Sequence, residues 1–548
     1  MHMNDDISAG SWAQGDVPAR SGCRITPLVD GHATMLAMCR SFLSAKSYIL
    51  LAGWDIYAGL KMVRGSDTIW SAADASQKQQ LLSGLRDEGL AEDAIALWQS
   101  GELTVRDVLG YAVAHGVRVG VLLWDAYHLG SHLTNDPAKE AHLLAEVGVE
   151  CLLDDSSRRV THLTQSLHQK CAVIDGTLAY VGGIDLTVEE TGDYDRWDTH
   201  HHPCFNPLRH SVRSPSAHPW HDVHCRIEGP VVADVQMNIV QRWMDVAARH
   251  NGPTWPADLP SSVGAVSEDG VKAQMVRTIP PETYSFAPEG IATILDAYLR
   301  AIRSAHRFIY IENQYLWSEV FRGLDSLAWG GKDPHMQEIL RELANALMRG
   351  VRIAMVLPDH PNCGRAFTDG AVTWLRKQAE ECGAEDSLYV FTAGSSETMG
   401  DDDTEIVYRP VYTHGKVMIV DDLWWTAGSA NLNSRGMHSD AELNIVVADE
   451  KSARSLRLLL WEEHTHDARG IDDNMDDAIS GLETLVRLAR ENRERVRRKV
   501  ALNGHILPYM TEADGKRLGI AVHHEHGWLD GLDTGSGALP KEHQGRYL

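Results

Sequence analysis

A His-x-Lys-x-x-x-x-Asp pattern occurs twice in this chain, over His168–Asp175 and again over His414–Asp421. In both copies a glycine follows fourteen residues after the histidine, and a polar residue, Asp185 or Asn431, follows seventeen residues after it. One copy alone would be weak support for any site, because short patterns also arise by chance. Two copies in the same register indicate an internal duplication, which any fold of this chain has to accommodate.

Three further pairs of segments match in the same order along the chain. Ser44–Trp54 matches Ser304–Gln314, His115–Asp125 matches Arg349–Asp359, and His221–Pro230 matches Ala441–Glu450. Their short apolar runs alternate with helical stretches, which is typical of a sheet covered by helices on both faces. We therefore predict an α/β fold of two similar αβα-sandwich halves, related by a pseudo-twofold axis, with the active site in the cleft between them.

The length of the chain also favours two cores, since 548 residues exceed the size of one ordinary domain. Segment 251–270 is rich in Pro, Gly and Ser and is predicted to be a linker. The predicted units are thus an N-terminal half over residues 1–250 and a C-terminal half over residues 271–548. The second half is expected to end in a helical tail with a basic amphipathic helix over Glu483–Gly504.

Composition excludes several classes of protein. The net charge of −25 disfavours binding to nucleic acid, whose phosphates such a surface repels. The eight cysteines include no C-x-x-C pair, so we expect neither a disulfide framework nor a structural zinc site. No apolar run is long enough to span a membrane, and the polar, acidic N-terminus lacks the features of a Sec signal peptide. We expect a cytoplasmic protein or one exported by a signal-independent route.

The repeated histidines and lysines suit chemistry on a phosphodiester. Residues i and i+2 of a strand face the same side, so His168 projects with Lys170 and His414 with Lys416. If both pairs meet in one cleft, one histidine can attack phosphorus and form a covalent phospho-histidine. The other can protonate the leaving oxygen and then activate water or an alcohol. The lysines and Asn431 are expected to hold the non-bridging oxygens, which leaves no step that requires a metal.

A nucleophilic histidine needs a partner for its second ring nitrogen, usually a carboxylate. Asp222 and Glu442 occupy equivalent places in the repeat and are the predicted partners, with Asp198 and Asp440 as alternatives.

Small and polar residues follow each histidine where the chain is expected to return as a second strand. Gly183 and Asp185 in the first repeat, and Ser429 and Asn431 in the second, are predicted to contact phosphate. The motif residues Asp175 and Asp421 lie at turns, with the wrong parity to join their histidines, so we predict a structural role for them.

Two other clusters carry weaker signals for a metal. His200–His202 lies in a predicted long loop over Gly192–Pro219, and Ser395–Glu405 is acidic but lacks the spacing of an EF-hand. We interpret both as solvated loops, and the sequence leaves open whether either binds a metal.

The motifs "HQKCAVID" and "HGKVMIVDD" resemble the paired HKD motifs of the phospholipase D superfamily. Five further blocks are similar to eukaryotic-type phospholipases D: "VGGIDLT", "DRWDTHHHP", "PWHDVHCRIEGP", "IYIENQYLW" and "GSANLNSRGMHSDAELNIVV". The matching blocks run in order from about Ser44 to Val447, so the resemblance covers most of the chain.

The resemblance implies a role for each motif residue. His168 would be the nucleophile and His414 the general acid, with Glu442 and Asp222 orienting them and Lys170, Lys416 and Asn431 on the phosphate. The implied activity is hydrolysis of the distal phosphodiester of a glycerophospholipid, such as phosphatidylcholine or phosphatidylethanolamine, to phosphatidic acid. Transfer of the phosphatidyl group to an alcohol is also implied. The partners would be a phospholipid at a membrane surface or in a micelle and a water or alcohol acceptor; no cofactor is expected, and nothing indicates a need for calcium.

Other activities of the same superfamily stay open at this point. A transferase resembling cardiolipin synthase, or a nuclease, could use the same motifs. No segment resembling a C2, PX or PH domain precedes the repeats, which favours a compact bacterial enzyme. Delivery as a type VI effector is one route that this form allows.

Overall fold

The structure is a computed structural model, in which the repeat can be followed strand by strand. It describes residues 12–64, 75–126, 135–157, 165–188, 195–199, 202–204, 206, 209, 218–255, 259, 269–319, 332–359, 365–399, 405–466, 468–470, 475–522 and 527–529.

The first repeat contains strands β1–β10 and helices α1–α6. The strands are β1 Arg20–Val29, β2 Tyr48–Gly53, β3 Lys61–Val63, β4 Leu103–Thr104, β5 Arg118–Trp124, β6 Glu150–Asp154, β7 Cys171–Ile174, β8 Leu178–Gly182, β9 Trp220–His221 and β10 Val223–Glu228. The helices are α1 Asp30–Ser44, α2 Ala75–Asp87, α3 Glu92–Ser100, α4 Val105–Ala114, α5 Pro137–Ala145 and α6 Val232–His250.

The second repeat contains strands β11–β21 and helices α7–α12. The strands are β11 Val271–Ile279, β12 Ile291–Ala292, β13 Phe308–Asn313, β14 Arg352–Val356, β15 Leu388–Met399, β16 Glu405–Pro410, β17 Tyr412–Thr413, β18 Lys416–Val420, β19 Trp424–Gly428, β20 Glu442–Val447 and β21 Ile506–Pro508. The helices are α7 Thr293–Ser304, α8 Pro334–Met348, α9 Arg365–Glu381, α10 Glu450–His464, α11 Ala478–Arg497 and α12 Glu512–Leu518, together with a 3-10 turn over Glu385–Ser387 and a π-helical turn over Arg435–Ser439.

Both repeats build a sheet with the same strand order. In the first repeat it is β1-β10-β8-β7-β2-β5-β6, and in the second it is β11-β20-β19-β18-β13-β14-β15. The strands β2, β5 and β6 are parallel to one another, as are β13, β14 and β15. The predicted duplication and α/β class are confirmed.

The two sheets join at their first strands, because β1 pairs with β11 as well as with β10. One apolar core runs across this junction, beneath α6 of the first repeat and α10 and α11 of the second. The opposite faces of the two sheets carry separate cores, which are covered by α1 and α4 in the first repeat and by α7, α8 and α9 in the second. Each sheet is therefore covered on both faces, and the halves share buried surface.

Helix α6 ends at His250 and β11 begins at Val271, on either side of the predicted linker. Residues 256–258 and 260–268 of that linker lie outside the described residues. The domain boundaries stay a prediction.

Two other predicted segments differ from the structure. The acidic segment Ser395–Glu405, predicted as a solvated loop, contributes to a β-hairpin in which Ser395 pairs with Arg409 and Met399 with Glu405, while its tip at 400–404 lies outside the described residues. The basic helix predicted over Glu483–Gly504 is confirmed as α11, which begins earlier, after the N-cap Asp477.

The last residue of each HKD motif is a hydrogen-bond acceptor at the far end of the sheet from its histidine. Asp175 accepts from the backbone N–H groups of Lys46, Ser47 and Tyr48, at the start of β2. Asp421 accepts in the same way from His306, Arg307 and Phe308, at the start of β13, with the three N···O distances between 2.7 and 2.8 Å. These carboxylates fix the edge of the hairpin against the central strand.

We expect Asp421→Asn to lower stability and to spare the activity of the protein that remains folded. The new amide N–H₂ would face the His306 N–H, which now donates to Oδ2 at 2.7 Å, so two donors would oppose each other. The cost should be roughly 1–3 kcal/mol in the free energy of unfolding. Urea unfolding followed by tryptophan fluorescence would measure it, with the exposed Asp386→Asn as the matched control. Equal free energies of unfolding for Asp421→Asn and Asp386→Asn would contradict the structural role of Asp421.

Candidate active site

Each motif histidine is placed by a short ladder between the two repeats. The His168 N–H donates to the Ala441 carbonyl at 2.8 Å, and the Ala441 N–H donates to the Ser166 carbonyl at 2.9 Å. In the equivalent ladder β17 runs parallel to β9, and the His414 N–H donates to the His221 carbonyl at 2.7 Å. Because Ala441 precedes Glu442 and His221 precedes Asp222, each histidine lies beside a carboxylate of the other repeat.

The two predicted carboxylates contact the histidines crosswise. His168 Nδ1 lies 3.0 and 3.1 Å from the two oxygens of Glu442, and His414 Nδ1 lies 2.6 Å from Asp222 Oδ2. The contact through Nδ1 leaves Nε2 of both rings free of these carboxylates. An imidazole held in this way has a fixed ring orientation and a fixed tautomer, which a nucleophile and a proton donor both require.

The two alternative carboxylates, Asp198 and Asp440, contact other groups. Asp198 accepts from Arg209, His202 and the Trp220 N–H, and Asp440 accepts from Arg435 and the Ser166 N–H.

The two lysines lie in different surroundings. Lys170 Nζ forms an ion pair with Asp185 at 3.1 Å and lies 5.6 Å from the centre of the Trp54 ring. Lys416 Nζ donates to Gln314 Oε1 at 3.2 Å, and Asn431 Nδ2 donates to the same oxygen at 3.0 Å. Each Nζ also donates to the carbonyl of its own motif histidine. Lys416 and Asn431 thus both donate to one oxygen of Gln314, while Lys170 forms an ion pair with a carboxylate.

Three of the predicted phosphate-contacting residues have partners within the protein. Asp185 accepts from Lys170 and Arg196 and would repel a phosphate, so it holds cations in place instead. The Gly183 N–H is taken by the Val223 carbonyl at 3.0 Å, and a Cβ on Gly183 would lie 2.1 Å from Asp222 Oδ1, so this glycine makes room for the carboxylate.

The third of these residues is Ser429. Its hydroxyl donates to Glu442 Oε2 at 2.5 Å and accepts from the Leu443 N–H at 3.0 Å, so it orients the carboxylate that holds His168. The fourth, Asn431, donates through Nδ2 to Gln314 Oε1 beside Lys416, and its own acceptor Oδ1 has no hydrogen-bond partner among the described residues.

Sequence reasoning missed Arg196 and Gln314. The Arg196 guanidinium lies 5.1 Å from the Trp220 ring and 5.9 Å from the Trp54 ring, and its Nη1 contacts Asp185 at 3.2 Å. The Trp220 ring in turn lies 4.7 Å from the ring of His414. Both missed residues stand inside sequence blocks that carry the resemblance, Arg196 in "DRWDTHHHP" and Gln314 in "IYIENQYLW", and that was the available signal.

Charge at this junction keeps the imidazoles neutral. Burial, followed by the charges of Lys170 and Lys416, holds the pKa of His168 well below its usual range. Burial, followed by Lys416 and Arg196, does the same for the pKa of His414. A neutral His168 has its Nε2 lone pair available for attack.

Burial shifts the pKa values of the two carboxyl partners in the opposite direction, upward. Burial, and then the charge of Asp440, raise the pKa of Glu442 well above its usual range, while Lys170 and the Ser429 hydroxyl oppose this shift. Burial also raises the pKa of Asp222.

Burial lowers the pKa of Lys416 to about 7. The ammonium form is present below that pH and is lost above it. Sulfate has a constant charge between pH 6 and 8, so it can serve as an anion probe of this site. We therefore expect the inhibition constant of sulfate, measured on the turnover of this site, to rise up to about tenfold over this interval as Lys416 loses its proton. Lys416→Arg keeps its charge and should remove most of the pH dependence, while the exposed Lys377→Met should behave as wild type. A sulfate inhibition constant that is flat with pH in the wild type would contradict this assignment.

Comparison with known proteins agrees with the geometry. A family model described as "Phospholipase D" matches residues 41–325, which is more than half of the chain. The chain belongs to the phospholipase D family. A second model, described as "Cardiolipin synthase, PLD-like domain", matches residues 298–461 and so covers the second HKD motif.

Relatives of this phospholipase D family member include plant proteins. It is 26% identical to phospholipase D alpha 1 of Brassica oleracea var. capitata, over 91% of this chain and 74% of the relative. It is 26% identical to phospholipase D alpha 2 of Arabidopsis thaliana, over 77% of this chain and 62% of the relative. Among solved structures, phosphatidylserine synthase of Haemophilus influenzae Rd KW20 aligns over 91% of this chain with a TM-score of 0.47 and 12% identity.

The chain thus spans between about three fifths and three quarters of the length of these plant relatives. None of the described helices of this phospholipase D family member is both long and apolar enough to cross a membrane.

Proposed function

We propose that this protein is a phospholipase D that hydrolyses the distal phosphodiester of a glycerophospholipid of the phosphatidylcholine or phosphatidylethanolamine type. The observation that carries the proposal is the crosswise pair of histidines, each held at Nδ1 by a carboxylate of the opposite repeat. Two oriented imidazoles beside two lysines supply the nucleophile, the proton donor and the anion contacts that this reaction needs. The plant relatives named phospholipase D alpha support this choice of substrate class.

The first step forms a P–N bond and breaks a P–O bond. His168 Nε2 attacks phosphorus while the headgroup oxygen leaves, and the leaving oxygen takes a proton from His414 Nε2. Bound phosphodiester carries a negative charge, which raises the pKa of His414 and favours the protonated form that this step requires. Lys416, Lys170 and Asn431 contact the non-bridging oxygens, where charge builds up in the transition state.

The second step reverses these roles. Neutral His414 takes a proton from water, the resulting oxygen nucleophile attacks phosphorus, and the bond to His168 Nε2 breaks. The products are phosphatidic acid and the free enzyme. An alcohol in place of water gives a phosphatidyl alcohol by the same path, since the covalent intermediate is common to both acceptors.

Mixed micelles of phosphatidylcholine with a primary alcohol and EDTA provide the test, with both products identified by mass spectrometry. We expect phosphatidic acid and phosphatidyl alcohol from the wild type and neither from His168→Ala. Absence of both products with every glycerophospholipid headgroup, also after calcium is restored, would overturn the proposal.

A second candidate is a phosphatidyl transferase in which an alcohol of another lipid replaces water. The match of residues 298–461 to a model described as cardiolipin synthase favours it. Phosphatidylglycerol as the only lipid distinguishes the two, because a transferase would form cardiolipin and glycerol, whereas a hydrolase would release phosphatidic acid.

A further inference from the structure

A second group of titratable side chains surrounds His221, the residue whose carbonyl accepts the hydrogen bond from the His414 N–H. It consists of Asp30 at the start of α1, His202, His221 in β9, and Glu463 near the end of α10. All four residues are buried, with at most 4% of their surface exposed. We refer to these four residues as the lower cluster. Three of them come from the first repeat and Glu463 comes from the second, so the lower cluster ties the repeats together.

Both imidazoles of the lower cluster have their outer nitrogen bound to a further carboxylate. His202 Nδ1 contacts Asp198 at 3.3 Å, and His221 Nε2 contacts Glu312 at 2.7 Å. Histidine ligands of metals are held in this way, because the outer carboxylate fixes the tautomer and leaves the inner nitrogen as the ligand. His202 Nε2 faces Glu463, and His221 Nδ1 faces both Asp30 and Glu463. Asp30 Oδ2 lies 3.7 Å from Nδ1 of His202.

Hydrogen bonds account for only part of the lower cluster. His202 Nε2 lies 2.5 Å from Glu463 Oε1, the separation of a short ion pair. Asp30 Oδ2 and Glu463 Oε2 are buried and have no hydrogen-bond partner among the described residues. Buried polar atoms without partners are uncommon in folded proteins and require an explanation. Convergence on a shared cation provides one.

The charges and most of the distances fit a divalent metal. In a tetrahedral zinc site with bonds of 2.0–2.2 Å, ligand atoms lie about 3.2–3.6 Å apart. His221 Nδ1 lies 3.2 Å from Asp30 Oδ1 and 3.1 Å from Glu463 Oε1, and one ligand atom from each of the four residues lies within 4.8 Å of the others. The 2.5 Å between His202 Nε2 and Glu463 Oε1 is shorter than the ligand spacing and would have to lengthen when the ion binds. Two carboxylates would neutralise the ion, and the absence of exposed ligand surface is typical of a structural rather than a catalytic site.

We propose that Asp30, His202, His221 and Glu463 bind one Zn²⁺ in a closed structural site that holds the two repeats together next to His414. The site revises the expectation of no structural zinc, which considered cysteine pairs and treated the cluster at His200–His202 as solvated. His202 is in fact 1% exposed, while His200 and His201 lie outside the described residues. The proposal stands independently of the proposed function, because it is tested without turnover.

The competing state is a cluster filled by protons. Burial lowers the pKa of His202, but Asp30 and Glu463 together raise it to about 10. In the absence of a metal, the imidazoles would therefore be cations paired with the carboxylates.

Metal content of the purified full-length chain separates the two states. The protein is produced in zinc-containing medium, dialysed against EDTA and analysed by inductively coupled plasma mass spectrometry. We expect about one zinc per chain in the wild type and in the exposed control His142→Ala. His202→Ala and Glu463→Gln should each retain less than about a tenth of that amount. Protein grown with cobalt should show the visible absorption of tetrahedral Co²⁺, and His202→Ala should lack it.

Wild-type protein that carries no metal under these conditions overturns the proposal, and this measurement requires no variant to fold. Retention of zinc by both cluster variants would overturn the assignment of these residues as ligands. Iron or manganese in place of zinc, lost in the variants, would overturn the choice of metal.

Discussion

His168→Ala should abolish turnover, with a loss of about 10⁴-fold or more, because the side chain that forms the covalent bond to phosphorus is gone. The loss should be the same for phosphatidylcholine and for phosphatidyl-p-nitrophenol, whose leaving group needs no proton. His414→Ala should behave differently with the two substrates. It should release p-nitrophenol once per active site and then stop, since the P–N bond forms but water is not activated.

Intact-mass spectrometry provides the decisive readout for these two variants. The phosphatidyl adduct should accumulate on His414→Ala and be absent from His168→Ala. The exposed His142→Ala serves as control and should match the wild type. The reverse pattern, with the adduct on His168→Ala alone, would exchange the two roles. No adduct on any variant, together with full hydrolysis by the wild type, would exclude the covalent mechanism.

Removing either crosswise carboxylate should cost about 10²–10⁴-fold in kcat/KM, because the imidazole loses its fixed tautomer. The two effects should fall on different steps. Glu442→Gln should slow formation of the phosphatidyl enzyme with both substrates, since Glu442 lies 3.0 Å from Nδ1 of His168, the proposed nucleophile. Asp222→Asn should slow phosphatidylcholine cleavage while sparing the burst of p-nitrophenol, since it acts through His414 at 2.6 Å.

Double variants test the crosswise pairing itself. Residues that act as a unit have non-additive effects, so His168→Ala/Glu442→Gln should be no slower than His168→Ala alone. The same should hold for His414→Ala with Asp222→Asn. Glu228→Gln, at the other end of the strand that follows Asp222, should leave the rate unchanged. Coupling within a repeat instead of across the repeats, such as His168 with Asp222, would contradict the geometry.

Several parts of the fold were predictable because the relevant physics is local. The apolar runs that became β2, β5, β13 and β14 are set by hydrophobic patterning along a few consecutive residues. The turn after β7 was also local, since Asp175 and Gly176 both adopt the positive φ that such a turn requires. The duplication strengthened these predictions, because each pattern occurs once in each repeat.

The partners of the charged groups were less predictable. Asp185 and Asn431 share a register position, yet one neutralises Lys170 and the other joins Lys416 on Gln314. The difference follows from Trp54 and Gln314, which occupy equivalent positions and have different chemistry. A register argument assigns equal roles to equivalent residues, and it fails where the two halves have diverged.

The sequence by itself determined the duplication, the α/β class, the two His–Lys pairs and the two candidate carboxylates, because each of these depends on residue type and on spacing within one repeat. Only the tertiary structure decided that the carboxylates serve the histidines of the opposite repeat. It alone also brought Asp30, His202, His221 and Glu463 to one place. The two His–carboxylate contacts join residues 274 and 192 positions apart in the chain. Their positions depend on how β1 meets β11 and how the two repeats pack, which no local pattern encodes.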